Sequence, residues 1–142
     1  MFDQFYKALD EYKKIAHPDI ECGDPYALVP EQSSVDVKLR WPSDDWPNSK
    51  CAGVYAIFSA DETLLYVGKS GFIGDRLADH FRKDANGACI SPPLYRWSKD
   101  PIYVITIAAP EGKKFVASRL EEYLIERLQP CDNTRGIKLR SY

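Results

Sequence analysis

"GVYAIFSADETLLYVGKS", residues 53–70, decides the fold. Two apolar runs, 53–58 and 63–67, flank the polar stretch "SADET", a pattern that predicts a β-hairpin. Strand side chains alternate in direction. By parity Tyr55 shares a face with Gly53 and Ile57, while Val54, Ala56 and Phe58 share the other. Parity also sets Tyr66 with Leu64. Antiparallel pairing about a turn at Ala60–Glu62 would bring Tyr55 and Tyr66 onto one face. Most strand tyrosines simply pack there as aromatics, so a further role needs evidence from elsewhere in the chain.

Working outward, residues 2–15 place Phe2, Phe5, Tyr6, Leu9 and Tyr12 at helical spacing, which predicts an amphipathic helix. Residues 17–50 are rich in proline and contain one alternating run, "SVDVKLRW", which reads as a half-buried strand ending at Trp41. Trp41 and Trp46 indicate that this extension packs against the rest. After the hairpin, "FIGDRLADHFRK" predicts a helix with Ile73, Leu77 and Phe81 on one apolar face. "SPPLYRWSK" has a Ser-Pro helix start. "IYVITI", 102–107, predicts a third strand between Pro101 and Pro110. "KKFVASRLEEYLIERLQ", 113–129, is the strongest helix, stopped by Pro130. The expected fold class is α+β: a small, mainly antiparallel three-stranded sheet flanked by helices, with an N-terminal helix and extended segment that adds a possible extra strand. The domain division is 1–50, an N-terminal extension, and 51–142, the main domain with a basic tail.

Bulk properties narrow the class. The 142 residues suit one domain with a real core. No apolar run reaches the roughly 18 residues of a membrane span, and the first residues lack the features of a signal peptide. Cys22, Cys51, Cys89 and Cys131 lie far apart and form no C-x-x-C, so reduced thiols in a cytoplasmic protein are the expectation. The formal charge is −2, but it is split: residues 1–50 hold six Lys/Arg against ten Asp/Glu, and the remainder thirteen against eleven. A phosphate-facing surface, if the chain has one, would belong to the second segment.

One carboxylate is out of place. On the last helix, at about 100° per residue, Val116, Ala117, Leu120, Tyr123, Leu124, Ile125 and Leu128 fill one apolar arc. Glu122 and Glu126 fall outside it, and Glu121 falls inside, between the directions of Leu128 and Ile125. A carboxylate there loses hydration unless it is paired, bound to a metal, or able to reach water at the rim. Arg76 and His80, at i and i+4, point from one face of their helix; among Asp75, Asp79, Arg82 and Lys83 that face also reads as a solvated one. His17, before Pro18, has no evident partner.

In order and spacing these pieces resemble the GIY-YIG nuclease family. Gly53-Val54-Tyr55 and Tyr66-Val67-Gly68 match its two motifs, with Val for the usual Ile and ten residues between the tyrosines. Lys69 matches a frequent basic residue, Arg76 the arginine of the first family helix, and His80 a position often His or Tyr. Glu121 matches the metal-binding glutamate, and in "EEYLIERLQPCDN" Asn133 matches the closing asparagine. The resemblance covers residues 51–135; residues 1–50 match no module of the family.

The resemblance implies a metal-dependent endonuclease that hydrolyses phosphodiester bonds of nucleic acid, most naturally DNA, by a one-metal mechanism. Glu121 would hold one Mg²⁺ or Mn²⁺ and Arg76 would meet the scissile phosphate. One tyrosine would take the proton of the attacking water, with Tyr55 favoured over Tyr66 and the reverse still open. Lys69 would supply positive charge, His80 would assist or hold the phosphate, and Asn133 would fix the site's backbone. A non-catalytic nucleic-acid-binding or protein-interaction module on the same fold is the alternative. Which nucleic acid, and with what specificity, the sequence leaves open.

Overall fold

The computed structural model describes residues 2–16, 18–28, 47–83, 89–90 and 97–133. The expected strand ending at Trp41, Trp46, His17, the first six residues of the Ser-Pro helix and the basic tail beyond Asn133 lie outside the described residues. In chain order the elements are α1 (Phe2–Ile15), β1 (Glu21–Cys22), β2 (Tyr26–Ala27), β3 (Gly53–Ser59), β4 (Leu64–Ser70), α2 (Ile73–His80), β5 (Arg82–Lys83), β6 (Cys89–Ile90), β7 (Pro101–Ala108) and α3 (Phe115–Leu128).

The architecture is α+β, with helices flanking an antiparallel sheet. β3, β4 and β7 are the three long strands expected. β3 is central, pairing β4 on one side and β7 on the other, and the two-residue strands β1 and β2 pair with the far edge of β7. Every residue of β3 is buried, because both faces of the sheet are covered. Val54, Ala56 and Phe58 pack under α1 and α3, against Phe5, Leu9, Leu120 and Leu124. Tyr55 and Ile57 face the other way, into a smaller core with Leu65, Tyr66, Ile73, Leu77 and Phe81. The N-terminal segment is thus part of the fold: α1 buries Phe5, Ala8, Leu9 and Tyr12. Burial of each large side chain contributes about 1.5–3 kcal/mol.

Two sequence expectations need correction. Tyr66 does not share a face with Leu64. The pairing runs Ile57↔Tyr66 and then Phe58↔Leu64, so Leu65 is the extra residue of a bulge. Leu65 and Tyr66 therefore both enter the Tyr55 core, while Leu64 packs on the opposite side. The helix after the hairpin also stops earlier than its periodicity implies. It ends at His80, Phe81 is extended (φ −133°, ψ 146°), and Arg82–Lys83 pairs with Cys89–Ile90 as a short ribbon. Consecutive helical residues point about 100° apart. Leaving the helix at Phe81 lets both His80 and Phe81 be buried.

Candidate active site

Two glycines make the tyrosine pair possible. A Cβ on Gly68 would lie 2.5 Å from both Cζ and Oη of Tyr55 and 2.8 Å from Cε1 of Tyr66, well inside contact distance. The Tyr55 ring lies over Gly68, its cross-strand partner. A Cβ on Gly53 would lie 1.9 Å from the Ile107 carbonyl oxygen, so glycine lets β7 close against the start of β3. With these contacts the rings of Tyr55 and Tyr66 stand 6.1 Å apart on one face.

His80 completes an aromatic cluster. Its Nε2 is hydrogen-bonded to Tyr55 Oη at 2.8 Å. Its ring lies 5.4 Å from Tyr55 and 5.6 Å from Tyr66. Tyr55 and His80 are fully buried. That burial, with the Arg76 guanidinium adding to it, pulls the imidazole down to about 3, so His80 is neutral across the physiological range. The solvated-face reading of Arg76 and His80 is thereby set aside for His80; Arg76 is half-buried. Trp97 closes the cluster. It meets Tyr66 edge-on at 6.0 Å, lies 6.0 Å from His80, and stacks on Phe81 at 6.3 Å with an interplanar angle of 11°. Sequence reasoning missed Trp97 because a single tryptophan at the end of a short stretch carries no periodic signal.

Glu121 reaches the same strand from the other side. α3 packs on the Val54 face of the sheet, and Lys69, the partner of Val54, lies on that face of β4. Lys69 Nζ donates to Ser118 Oγ on α3 at 2.9 Å. Burial raises the Glu121 carboxyl above its ordinary range; the Lys69 ammonium draws it down, Glu122 pushes it up, and the Lys69 backbone N–H draws it down again. Glu121 is thus a half-buried carboxylate set against the edge of β4, with the positive end of Lys69 beside it.

The rest of that edge is sealed by the chain after α3. Asn133 Oδ1 accepts from the Val67 N–H at 2.9 Å, and Asn133 Nδ2 donates to the Val67 carbonyl at 2.9 Å. Its amide thus takes the place of a neighbouring strand, satisfying the backbone of an edge residue. The backbone N–H groups of Cys131 and Asp132 donate to Leu64 and Leu65. The Asp132 carboxylate in turn accepts from the N–H and hydroxyl of Ser98, at 2.9 and 3.1 Å, which anchors the residue next to Trp97. β4 therefore carries the tyrosine cluster on one face and the Glu121–Lys69 pair at its edge.

The α+β core and this decorated edge strand define the class, and the comparisons with known proteins agree. The family model described as the GIY-YIG catalytic domain matches residues 51–135, and the chain belongs to that family. Three proteins called UvrABC system protein C are each 30% identical to the chain over 94 residues. They come from Xanthomonas campestris pv. campestris (strain B100), Xanthomonas oryzae pv. oryzae (strain PXO99A) and Xanthomonas axonopodis pv. citri (strain 306). Each match takes in 66% of this chain and 14% of the relative, so the chain spans only a small part of the length of these relatives. No solved structure matches the chain. Among the described residues no helix is long and apolar enough to cross a membrane, and Cys22, Cys51 and Cys131 are free thiols.

Proposed function

We propose that the chain is a metal-dependent endonuclease that hydrolyses phosphodiester bonds of nucleic acid, with DNA as its substrate. The observation that carries this reading is the half-buried carboxylate of Glu121, raised by burial and set beside Lys69 at the edge of the strand that bears Tyr66. Membership of the GIY-YIG family supports the reading, and so do the names of the relatives, which are proteins of the UvrABC system.

The donor set suits a hard ion that keeps its water. Among the described residues no three His, Cys, Asp or Glu side chains gather into a metal cluster, which disfavours a cage made wholly of protein ligands. Magnesium commonly takes one or two carboxylates and retains several waters, and Glu121 fits that habit. A divalent ion held there would supply Lewis-acid stabilisation of the charge that develops on the phosphate and the leaving 3′ oxygen. The Arg76 guanidinium presents the planar fork that suits phosphate oxygens. Lys69 adds positive charge beside Glu121. A tyrosine accepts the proton of the attacking water. Tyrosine ionises near pH 10 in water, so its phenolate needs help. His80 is neutral and cannot supply a charge, but with Nε2 protonated it donates to Tyr55 Oη and favours the ionised oxygen. We assign the base to Tyr55 on that hydrogen bond, with Tyr66 packed against it. Asn133 acts through the backbone of Val67, between Tyr66 and Gly68.

The test is incubation of supercoiled plasmid with the full chain and Mg²⁺, beside Arg76→Ala. Nicked plasmid with 5′-phosphate and 3′-hydroxyl ends is expected from the wild type and a large loss from the variant. Binding without cleavage by the wild type would favour the non-catalytic alternative.

A further inference from the structure

Phe72 is a large apolar side chain that serves neither core nor cap. Among the described residues only Ile15, Phe72 and Phe115 are exposed large hydrophobics, and Phe72, at 43% exposure, is the one that follows Lys69 by three residues and precedes Arg76 by four in the chain. It is the N-cap residue of α2 and makes no capping hydrogen bond. Ser, Thr, Asp or Asn would stabilise the helix there, so the phenyl ring replaces a better structural choice. Its backbone is nevertheless held firmly. Ser70 Oγ accepts from the Phe72 N–H at 3.0 Å and donates to the Phe72 carbonyl at 2.8 Å. The next residue, Ile73, is fully buried and donates its N–H to the Cys51 carbonyl at 2.9 Å. The space beside it is open, since a Cβ on Gly71 would meet nothing within 4 Å. Three residues of chain keep Phe72 within about 11 Å of Lys69, Cα to Cα.

An exposed ring, its backbone held on the short link from the Lys69 strand to the Arg76 helix, fits the face of an unpaired base. We propose that Phe72 stacks on an unpaired base next to the scissile phosphate, so that the protein prefers nucleic acid that is gapped, looped or single-stranded there over intact duplex. This rests on the nuclease reading above and adds the substrate class to it. Stacking is indifferent to base identity, so the preference is for structure and not for sequence.

The test uses the full chain in chelator, where binding is read without cleavage. The probes are an intact duplex and the same duplex with a single-base gap faced by 2-aminopurine. Affinity is read by anisotropy and stacking by quenching of 2-aminopurine. Phe72→Ala and Phe72→Leu are expected to weaken binding to the gapped probe by about 5- to 150-fold, the range for losing one base stack. Both should abolish the quench and change duplex binding by less than about twofold. Phe72→Trp should retain the gapped preference. Equal losses on both probes, or no loss on either, would overturn the inference; if Phe72→Ala still nicks plasmid in Mg²⁺, the nuclease reading survives that failure. A variant that binds both probes normally but breaks up a dimer in sedimentation would make Phe72 a protein contact and also overturn it. Wild type that binds neither probe would overturn the nuclease reading itself.

Discussion

Replacing Asn133 by alanine should unseat the edge of β4. The wild-type amide makes two hydrogen bonds to Val67, both 2.9 Å long, in a buried setting. Alanine leaves one N–H and one carbonyl without those partners. An unsatisfied buried backbone group costs about 1–3 kcal/mol, so the two together cost about 2–6 kcal/mol. β4 is an edge strand, and water can enter the space the amide leaves. The lower part of the range therefore applies, about 2–3 kcal/mol. For a chain of this size that is a fall in Tm of roughly 6–12 °C. The assay is thermal unfolding by circular dichroism, with urea unfolding to check that the midpoint moves while the slope does not. Asn133→Asp makes the argument sharper. It is nearly isosteric and keeps an acceptor for the Val67 N–H, but it sets a carboxylate oxygen against the Val67 carbonyl. It should not restore stability. An alanine variant melting within about 2 °C of wild type, or an aspartate variant as stable as wild type, would refute the edge-sealing role.

Two further outcomes follow from burial. The His80 pKa lies below its unfolded value, so its contribution to stability is complete above about pH 6.5 and is lost as pH falls towards about 3. Between pH 6.5 and 4.5 the wild type should lose about 2–3 kcal/mol more than His80→Gln, read by urea unfolding at each pH; parallel curves would contradict the buried neutral imidazole. A chain starting at Asn48 loses α1, β1 and β2. The burial of Phe5, Leu9 and Tyr12 alone amounts to about 5–9 kcal/mol, comparable with the whole stability of a domain. That fragment should show no cooperative melt; a folded, monomeric fragment would mean that the N-terminal helix is dispensable.

Local pattern made the long elements legible. The apolar runs 53–58 and 63–67 about a polar turn marked a hairpin and the helical arc of 116–128 reported a face, and the three long strands and three helices follow from such signals. Glu121 was conspicuous because one charge interrupted an apolar arc. Features set by pairing rather than period were not legible. A one-residue bulge at Leu65 reverses parity without altering composition, and β1 and β2 are too short to alternate. The helix end at Phe81 is a tertiary choice, made by the partners that bury it. Ser118 and Asp132 act on Lys69 and Ser98 across long stretches of chain, and nothing in their own neighbourhoods advertises it. Tyr55 and Gly68 are half visible: the motif shows both, but only the register shows that one ring fills the space the other leaves.

The central claim is that Glu121 makes cleavage depend on a divalent ion. It is tested most directly by single-turnover cleavage of plasmid across a Mg²⁺ titration, comparing wild type with Glu121→Gln. Burial disfavours the charged carboxylate, so the glutamine variant should melt no lower than wild type in chelator, and lost activity will not reflect unfolding. The account predicts a wild-type rate that rises and saturates with Mg²⁺, and a variant slower by at least about a hundredfold. Equal cleavage by a folded Glu121→Gln chain would contradict it.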